Sequence, residues 1–116
     1  PQIEETIVGR AKKYVYEHFD ARIDLDAIAR AACTNKSRLC REFRREAGCS
    51  VIDYLTHVRI EASKRLLLTD LKVASVAELV GFEDPYYFSR VFRRTIGLSP
   101  TEYRTTQTRE LCFTKG

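Results

Sequence analysis

The sequence predicts an all-α fold: seven helices forming two similar units joined by a long central helix. Three observations predict it. Apolar residues recur every three or four positions from Ile3 to Ile96, the period of helices buried along one side. The phrase FRREAGCSVIDY at residues 43–54 returns as FRRTIGLSPTEY at residues 92–103, 49 positions on. Identities fall at Phe43/Phe92, Arg44/Arg93, Arg45/Arg94, Gly48/Gly97, Ser50/Ser99 and Tyr54/Tyr103. Capping and stopping residues also bracket the helices at matching places in the two halves.

Taken in order, Ile3, Ile7, Ala11, Tyr14, Val15, His18 and Phe19 form the first helical stripe. Asp24 caps a second helix, with Leu25, Ile28, Ala29 and Ala32 on its inner face. Asn35 caps a third, with Leu39, Phe43 and Ala47 inward and Gly48 stopping it. Ser50 and Asp53 carry a capping signal for the long helix, which runs to about Leu67 with Val51, Tyr54, Leu55, Val58, Ala62 and Leu66 inward. After a loop at Thr69–Lys72 the pattern restarts. Val73, Val76, Ala77 and Val80 repeat the spacing of the second helix, and Gly81 ends them. Asp84 caps the next helix with Pro85 at its first position, where a missing N–H costs nothing. Phe88, Val91, Phe92 and Ile96 face inward there, and Gly97 is the stop. Ser99, Pro100 and Glu102 form a capping box for a short last helix, and a frayed polar tail is expected from Thr105. The expected divisions are 1–49 for the first unit, 50–68 for the linker helix, 69–104 for the second unit and 105–116 for the tail.

A length of 116 residues suits one compact unit or two very small ones. No apolar run is long enough to span a bilayer, and IEETIVGRAKKYVYEHF is too charged for a signal peptide, so a cytoplasmic protein is expected. The chain opens on Pro1 rather than Met, which suggests a piece of a longer protein. Cys33, Cys40, Cys49 and Cys112 match no compact zinc spacing and lack nearby His, so free thiols and no metal or other cofactor are expected. The net charge of +4 is modest, but its distribution is not even. Lys36, Arg38, Arg41, Arg44 and Arg45 outnumber Glu42 and Glu46, while Arg90, Arg93, Arg94 and Arg104 outnumber Glu102. The excess sits on the echoed segments, as a polyanion-binding surface requires.

Each half reads as a short helix, a tight turn and a longer basic helix, the plan of a helix-turn-helix whose second helix enters the major groove. With Leu39 and Phe43 buried, Ser37, Arg41 and Arg44 or Arg45 form the outer stripe of the helix at residues 35–47. With Phe88 and Phe92 buried, Tyr86, Arg90 and Arg93 or Arg94 form it at residues 84–96. Arg41 and Arg90 both stand six residues beyond their caps, and a guanidinium fork at that depth suits guanine O6 and N7. Two such readers on one face of B-DNA need a separation of about one turn, roughly 34 Å, and the long helix is a suitable spacer. Unlike side chains in the two halves imply a non-palindromic site.

GFEDPYYFSRVFRRTIGLSPTEYR at residues 81–104 resembles the signature segment of the AraC/XylS family of bacterial transcription regulators, and VRIEASKRLL at 58–67 resembles the family's linker helix. The resemblance runs from Ile3 to Arg104. It implies a seven-helix domain with two helix-turn-helix units, the C-terminal part of a transcription activator that binds specific double-stranded DNA. It maps base contacts onto Ser37 and Arg41 in the first unit, and onto Pro85, Tyr86 and Arg90 in the second. Ser37 is small, so Lys36 or Arg38 is expected to reach in its place. Cys33 stands where the family usually has the turn glycine, equivalent to Gly81, and a left-handed backbone there would cost about 1–2 kcal/mol. Phosphate contacts are expected from Arg44, Arg45, Arg93 and Arg94, and from helix N-termini near Asp24 and Ser50. Expected partners are double-stranded DNA and RNA polymerase. The domain is expected to be monomeric on its own, with a sensor or receiver domain preceding Pro1 in the full protein.

Other readings of the same residues point elsewhere. The Phe side chains could be stacking platforms for bases, but their i, i+4 spacing assigns them to the core. Of Tyr86 and Tyr87, one packs and one faces DNA, and Tyr86 is read as the outward one. Arg59 and Lys64 either touch the backbone or form pairs along the helix. Asp53 and His57 lack a placed nucleophile, and Cys40 is read as inert. An enzyme is not expected. The main alternative is a helical module whose basic face binds an acidic protein.

Overall fold

The computed structural model describes residues 6–115, with side chains to residue 108. Among these residues there are seven helices and no strand. They are α1 (Ile7–His18), α2 (Leu25–Ala31), α3 (Lys36–Ala47), α4 (Val51–Leu67), α5 (Val73–Leu79), α6 (Pro85–Ile96) and α7 (Pro100–Lys115). The chain divides into two compact units, Pro1–Val58 and Arg59–Gly116, and the division falls inside α4.

In the first unit α1 packs on α2 and α3, and α2 on α3. Val8, Ala11 and Val15 of α1, Ile28, Ala29 and Ala32, Leu39 and Phe43 of α3, and Val51, Leu55 and Val58 of α4 form its core. The α1 stripe thus sits slightly off the expected one. Val8 replaces His18, which is exposed with its ring 4.5 Å from Tyr14, and Ile3 lies outside the described residues. In the second unit α5 packs on α6 and α6 on α7. Val76, Ala77, Val80, Phe82, Phe88, Val91 and Phe92 are buried there, with Ile60 and Leu67 of α4.

Four of the six identities in the repeated phrase have a structural role. Phe43 and Tyr54 meet edge to face at 5.6 Å, and their counterparts Phe92 and Tyr103 do so at 5.5 Å. Such pairs add specific geometry to ordinary apolar burial. Gly48 and Gly97 end α3 and α6 in the left-handed conformation, at φ 80° and 94°, and donate their N–H groups to the carbonyls of Arg44 and Arg93. Ser50 Oγ accepts from Asp53 N–H at 2.9 Å, and Ser99 Oγ from Glu102 N–H at 3.1 Å. The repeated Arg pairs are exposed.

The two turns before α3 and α6 also match. Cys33 N–H bonds Arg30 O and Thr34 N–H bonds Ala29 O; Gly81 N–H bonds Glu78 O and Phe82 N–H bonds Ala77 O. This is the paired-bond stop that needs a left-handed residue just past the helix. Gly81 supplies it freely at φ 101°, whereas Cys33 adopts φ 61° and is alone among the described non-glycine residues in a positive φ. The expected departure at Cys33 is therefore present in the backbone.

Two expectations are corrected. The last helix is not short: it runs to Lys115, through the residues expected to fray from Thr105. No glycine or proline interrupts residues 101–115, so nothing in that stretch stops a helix once the capping box has started it. In α4 the inward set includes Ile60, Ser63 and Leu67, which are fully buried, whereas Ala62 and Leu66 are only partly so. Ser63 is tolerated there because its hydroxyl donates to Ile60 O at 2.6 Å.

Candidate nucleic-acid interface

Local chemistry sets where α3 and α6 begin. Asn35 Oδ1 accepts from Arg38 N–H at 2.8 Å, and Asp84 Oδ1 from Tyr86 N–H at 2.9 Å, each satisfying an N–H that the helix cannot pair internally. Pro85 occupies the first turn of α6. With Leu39 and Phe43 buried on α3, its remaining faces carry Lys36, Ser37, Arg38, Arg41, Arg44 and Arg45, all exposed. With Phe88, Val91 and Phe92 buried on α6, Tyr86, Arg90, Arg93 and Arg94 are exposed and Pro85 half-buried. Each unit thus presents a cationic outer helix face over an apolar inner one.

The charges differ in how firmly they are held. Lys36 Nζ lies 3.5 Å from Asp26, with both side chains over half exposed. Arg45 pairs with Glu42 one turn earlier, and this contact holds the Glu42 carboxyl below its ordinary range. Arg93 Nη1 lies 3.7 Å from Glu102. Exposed pairs of this kind are weak. Arg44 and Arg94 make no ion pair among the described residues. Ser50, expected near a phosphate, uses its Oγ to accept from Asp53 N–H.

Tyr86 and Tyr87 are both exposed, Tyr86 the more so. Tyr86 is 77% exposed, whereas Tyr87 is 44% exposed and turns its ring toward Phe82, 6.1 Å between centroids. The Arg90 guanidinium stands over the Tyr87 ring, 5.8 Å from its centroid. On α4, Lys64 pairs with Glu61 at 3.1 Å and Arg59 stands over the Phe82 ring at 5.8 Å.

Two arginines have structural work that the sequence reading missed. Arg104, counted there with the basic excess, donates from Nε to Leu67 O at 2.6 Å and from Nη2 to Leu71 O, closing the end of α4 and the following loop. Arg10 donates from Nε and Nη2 to Ala32 O at 3.0 and 2.9 Å, gripping the carbonyl at the end of α2 beside Cys33. Both partners are backbone carbonyls, which carry no side-chain signature; the only hint is an arginine near an otherwise apolar stripe. Cys33 and Cys40 are exposed free thiols, and the side chain of Cys112 lies outside the described residues. Among the described residues no helix is long and apolar enough to cross a membrane.

Comparison with known proteins adds to this geometry. A family model described as a helix-turn-helix domain matches residues 28–106. The chain is 39% identical over 99 residues to the arabinose operon regulatory protein of Escherichia coli, a match that covers 84% of this chain and 34% of that protein. It is 44% identical over 91 residues to the transcriptional activator NphR of a Rhodococcus species, covering 78% of this chain and 27% of that one. The chain thus spans about a third of the length of these curated relatives. Among solved structures, the C-terminal domain of AraT, a response regulator from Geobacillus stearothermophilus, superposes with a TM-score of 0.81 at 37% identity, covering 86% of this chain and 84% of that domain. The DNA-binding domain of AdpA, solved with a target DNA, superposes at 0.84 with 27% identity, covering 90% of this chain and 96% of that domain.

Proposed function

This chain belongs to the AraC/XylS family of transcription regulators and is a helix-turn-helix DNA-binding domain of that kind, and we propose that α3 and α6 each enter a major groove and together read one non-palindromic duplex sequence. Base contacts come from Lys36, Ser37, Arg38 and Arg41 in the first unit and from Pro85, Tyr86 and Arg90 in the second. Arg44, Arg45, Arg93, Arg94 and Ser50 contact phosphates and set the register. The observation that carries this reading is the match between the two outer faces. Arg41 and Arg90 occupy equivalent, exposed positions on helices whose inner faces are equally buried.

The full regulator activates transcription from the cytoplasm by engaging RNA polymerase, with a sensor or receiver domain supplying the signal. Its relatives are operon regulators and activators, and the match covers 34% and 27% of their lengths. The DNA-binding domain is monomeric on its own.

Selection of bound duplexes from a random pool tests the reading, followed by salt titration on a recovered and an unrelated duplex. Groove reading requires an asymmetric recovered site, a preference that survives moderate salt and a steep fall of affinity with salt. A pool returned without enrichment would overturn it.

A further inference from the structure

Arg90 is held unlike any other arginine on the two outer helix faces. Among the described residues no carboxylate or carbonyl binds it; the contact its guanidinium makes is with the ring of Tyr87, at 5.8 Å from the centroid. That ring is itself steadied by Phe82, which is 6% exposed and packs in turn on Phe88 at 5.2 Å. A buried aromatic base thus supports a half-exposed ring, which supports an exposed cation.

The chemistry of this contact differs from that of an ion pair in one respect that matters for recognition. A carboxylate would occupy the N–H edges of the guanidinium, the donors that a base must use. A ring holds the cation by its π face and places no acceptor oxygen on the N–H donors. An arginine side chain loses much rotamer freedom when it is fixed against a base, and a ring contact formed before DNA arrives removes part of that loss from the binding step. The other half lacks the device. The counterpart of Tyr87, 49 positions earlier, is Arg38, so no ring stands at that place below Arg41.

We propose that Tyr87 is a positioning residue that presents Arg90 to its base with the guanidinium already oriented, so that the second unit discriminates more sharply at its arginine-read base pair than the first. This rests on the assignment of Arg90 as a base reader made above. Tyr87 acts through Arg90 and makes no base contact itself.

The test uses this chain and a duplex recovered from the random-pool selection, together with duplexes changed at each base pair in turn. The proteins are the wild type, Tyr87→Phe, Tyr87→Leu, Arg90→Ala and the Tyr87→Leu/Arg90→Ala double variant, with folding checked by circular dichroism. Tyr87→Leu is expected to weaken binding to the recovered duplex about three- to tenfold. It should flatten preference at the same base pairs as Arg90→Ala and add nothing in the double variant. Tyr87→Phe should keep the preference, because it keeps the ring face. In the free wild-type chain, the Arg90 side-chain protons should show the upfield NMR displacement of protons above a ring.

Each contrary result has one meaning. If Arg90→Ala leaves every preference intact, the base-reader assignment fails and takes the positioning role with it. If Arg90→Ala flattens preference but Tyr87→Leu does not, the positioning role alone fails. Losses that add in the double variant, or a Tyr87→Phe variant as weak as Tyr87→Leu, would give Tyr87 its own DNA contact and overturn the proposal. Should Tyr87→Leu not fold, the absence of the upfield displacement in the wild type overturns it without any variant.

Discussion

Arg93 Nη1 lies 3.7 Å from Oε1 of Glu102, the same oxygen that accepts the Ser99 backbone N–H at 2.9 Å. One exposed carboxylate therefore both closes the capping box of α7 and pairs with a cation on the outer face of α6. Its pKa lies below the ordinary 4.5, held down first by the Ser99 hydrogen bond and then by Arg93.

A pH dependence with a definite sign comes from that arrangement. A carboxyl whose folded pKa is depressed contributes stability that is complete above its unfolded value of 4.5 and is lost as pH falls through the lowered folded value. Glu102→Gln keeps a carbonyl for the Ser99 N–H but carries no charge. The difference in Tm between wild type and Glu102→Gln should shrink on acidification between about pH 6 and 3. A difference that stays constant over that range would remove Glu102 from the account.

Cys33 should be improvable. It holds φ 61° at a turn where its counterpart is Gly81, so Cys33→Gly is expected to raise stability in urea denaturation by about 1 kcal/mol. Cys33→Val should lower it, since a β-branched residue suits that conformation least. Equal stability of the three proteins would mean that the turn bears no strain.

Removing Arg10 should loosen the first turn. Its two bonds to Ala32 O are charge-assisted and partly buried, and Arg10→Ala should cost about 1.5–3 kcal/mol of stability. Arg10→Lys should recover only part, because a single ammonium cannot reproduce the fork. Thermal denaturation of both variants checks this, with full recovery by lysine as the contrary outcome.

The exposed arginines should fall into two kinds. Arg41→Ala and Arg90→Ala are each expected to cost about 1–3 kcal/mol of discrimination, at different base pairs. Arg44→Ala and Arg94→Ala should weaken all duplexes alike and reduce the salt slope by about one. Binding of each variant to recovered and base-substituted duplexes at several salt concentrations separates the two. A sequence-specific loss in Arg94→Ala would move it to the base-reading set.

Much of this architecture was legible because the chain states it twice. Gly48 and Gly97, Ser50 and Ser99, and Phe43 and Phe92 act locally, through backbone conformation, capping and helical period, and such signals survive in a bare sequence. What was not legible depends on partners distant along the chain. Arg104 reaches carbonyls 33 and 37 positions away, and Arg10 one that is 22 positions away. Ser63 is a polar residue that is buried because the carbonyl of Ile60, one turn back, satisfies it. In α4 the buried set changes from Val51, Leu55 and Val58 to Ile60, Ser63 and Leu67, so no single stripe describes the whole helix. Of the candidate interface, the exposure of Arg41, Arg90 and Tyr86 could be anticipated from the burial of their neighbours. The ring beneath Arg90 could not, since the i, i+3 spacing of Tyr87 and Arg90 is compatible with many rotamers.

Because the seam between Val58 and Arg59 lies within continuous α4, there is no hinge peptide for a protease to find there. Excising either half would leave a raw helical stump, with up to four N–H groups or four carbonyls stripped of their mates. Limited digestion should therefore nick the exposed stretch at residues 68–72 before it ever divides the molecule at its true midline, and the pieces released would be unequal in what they can still fold.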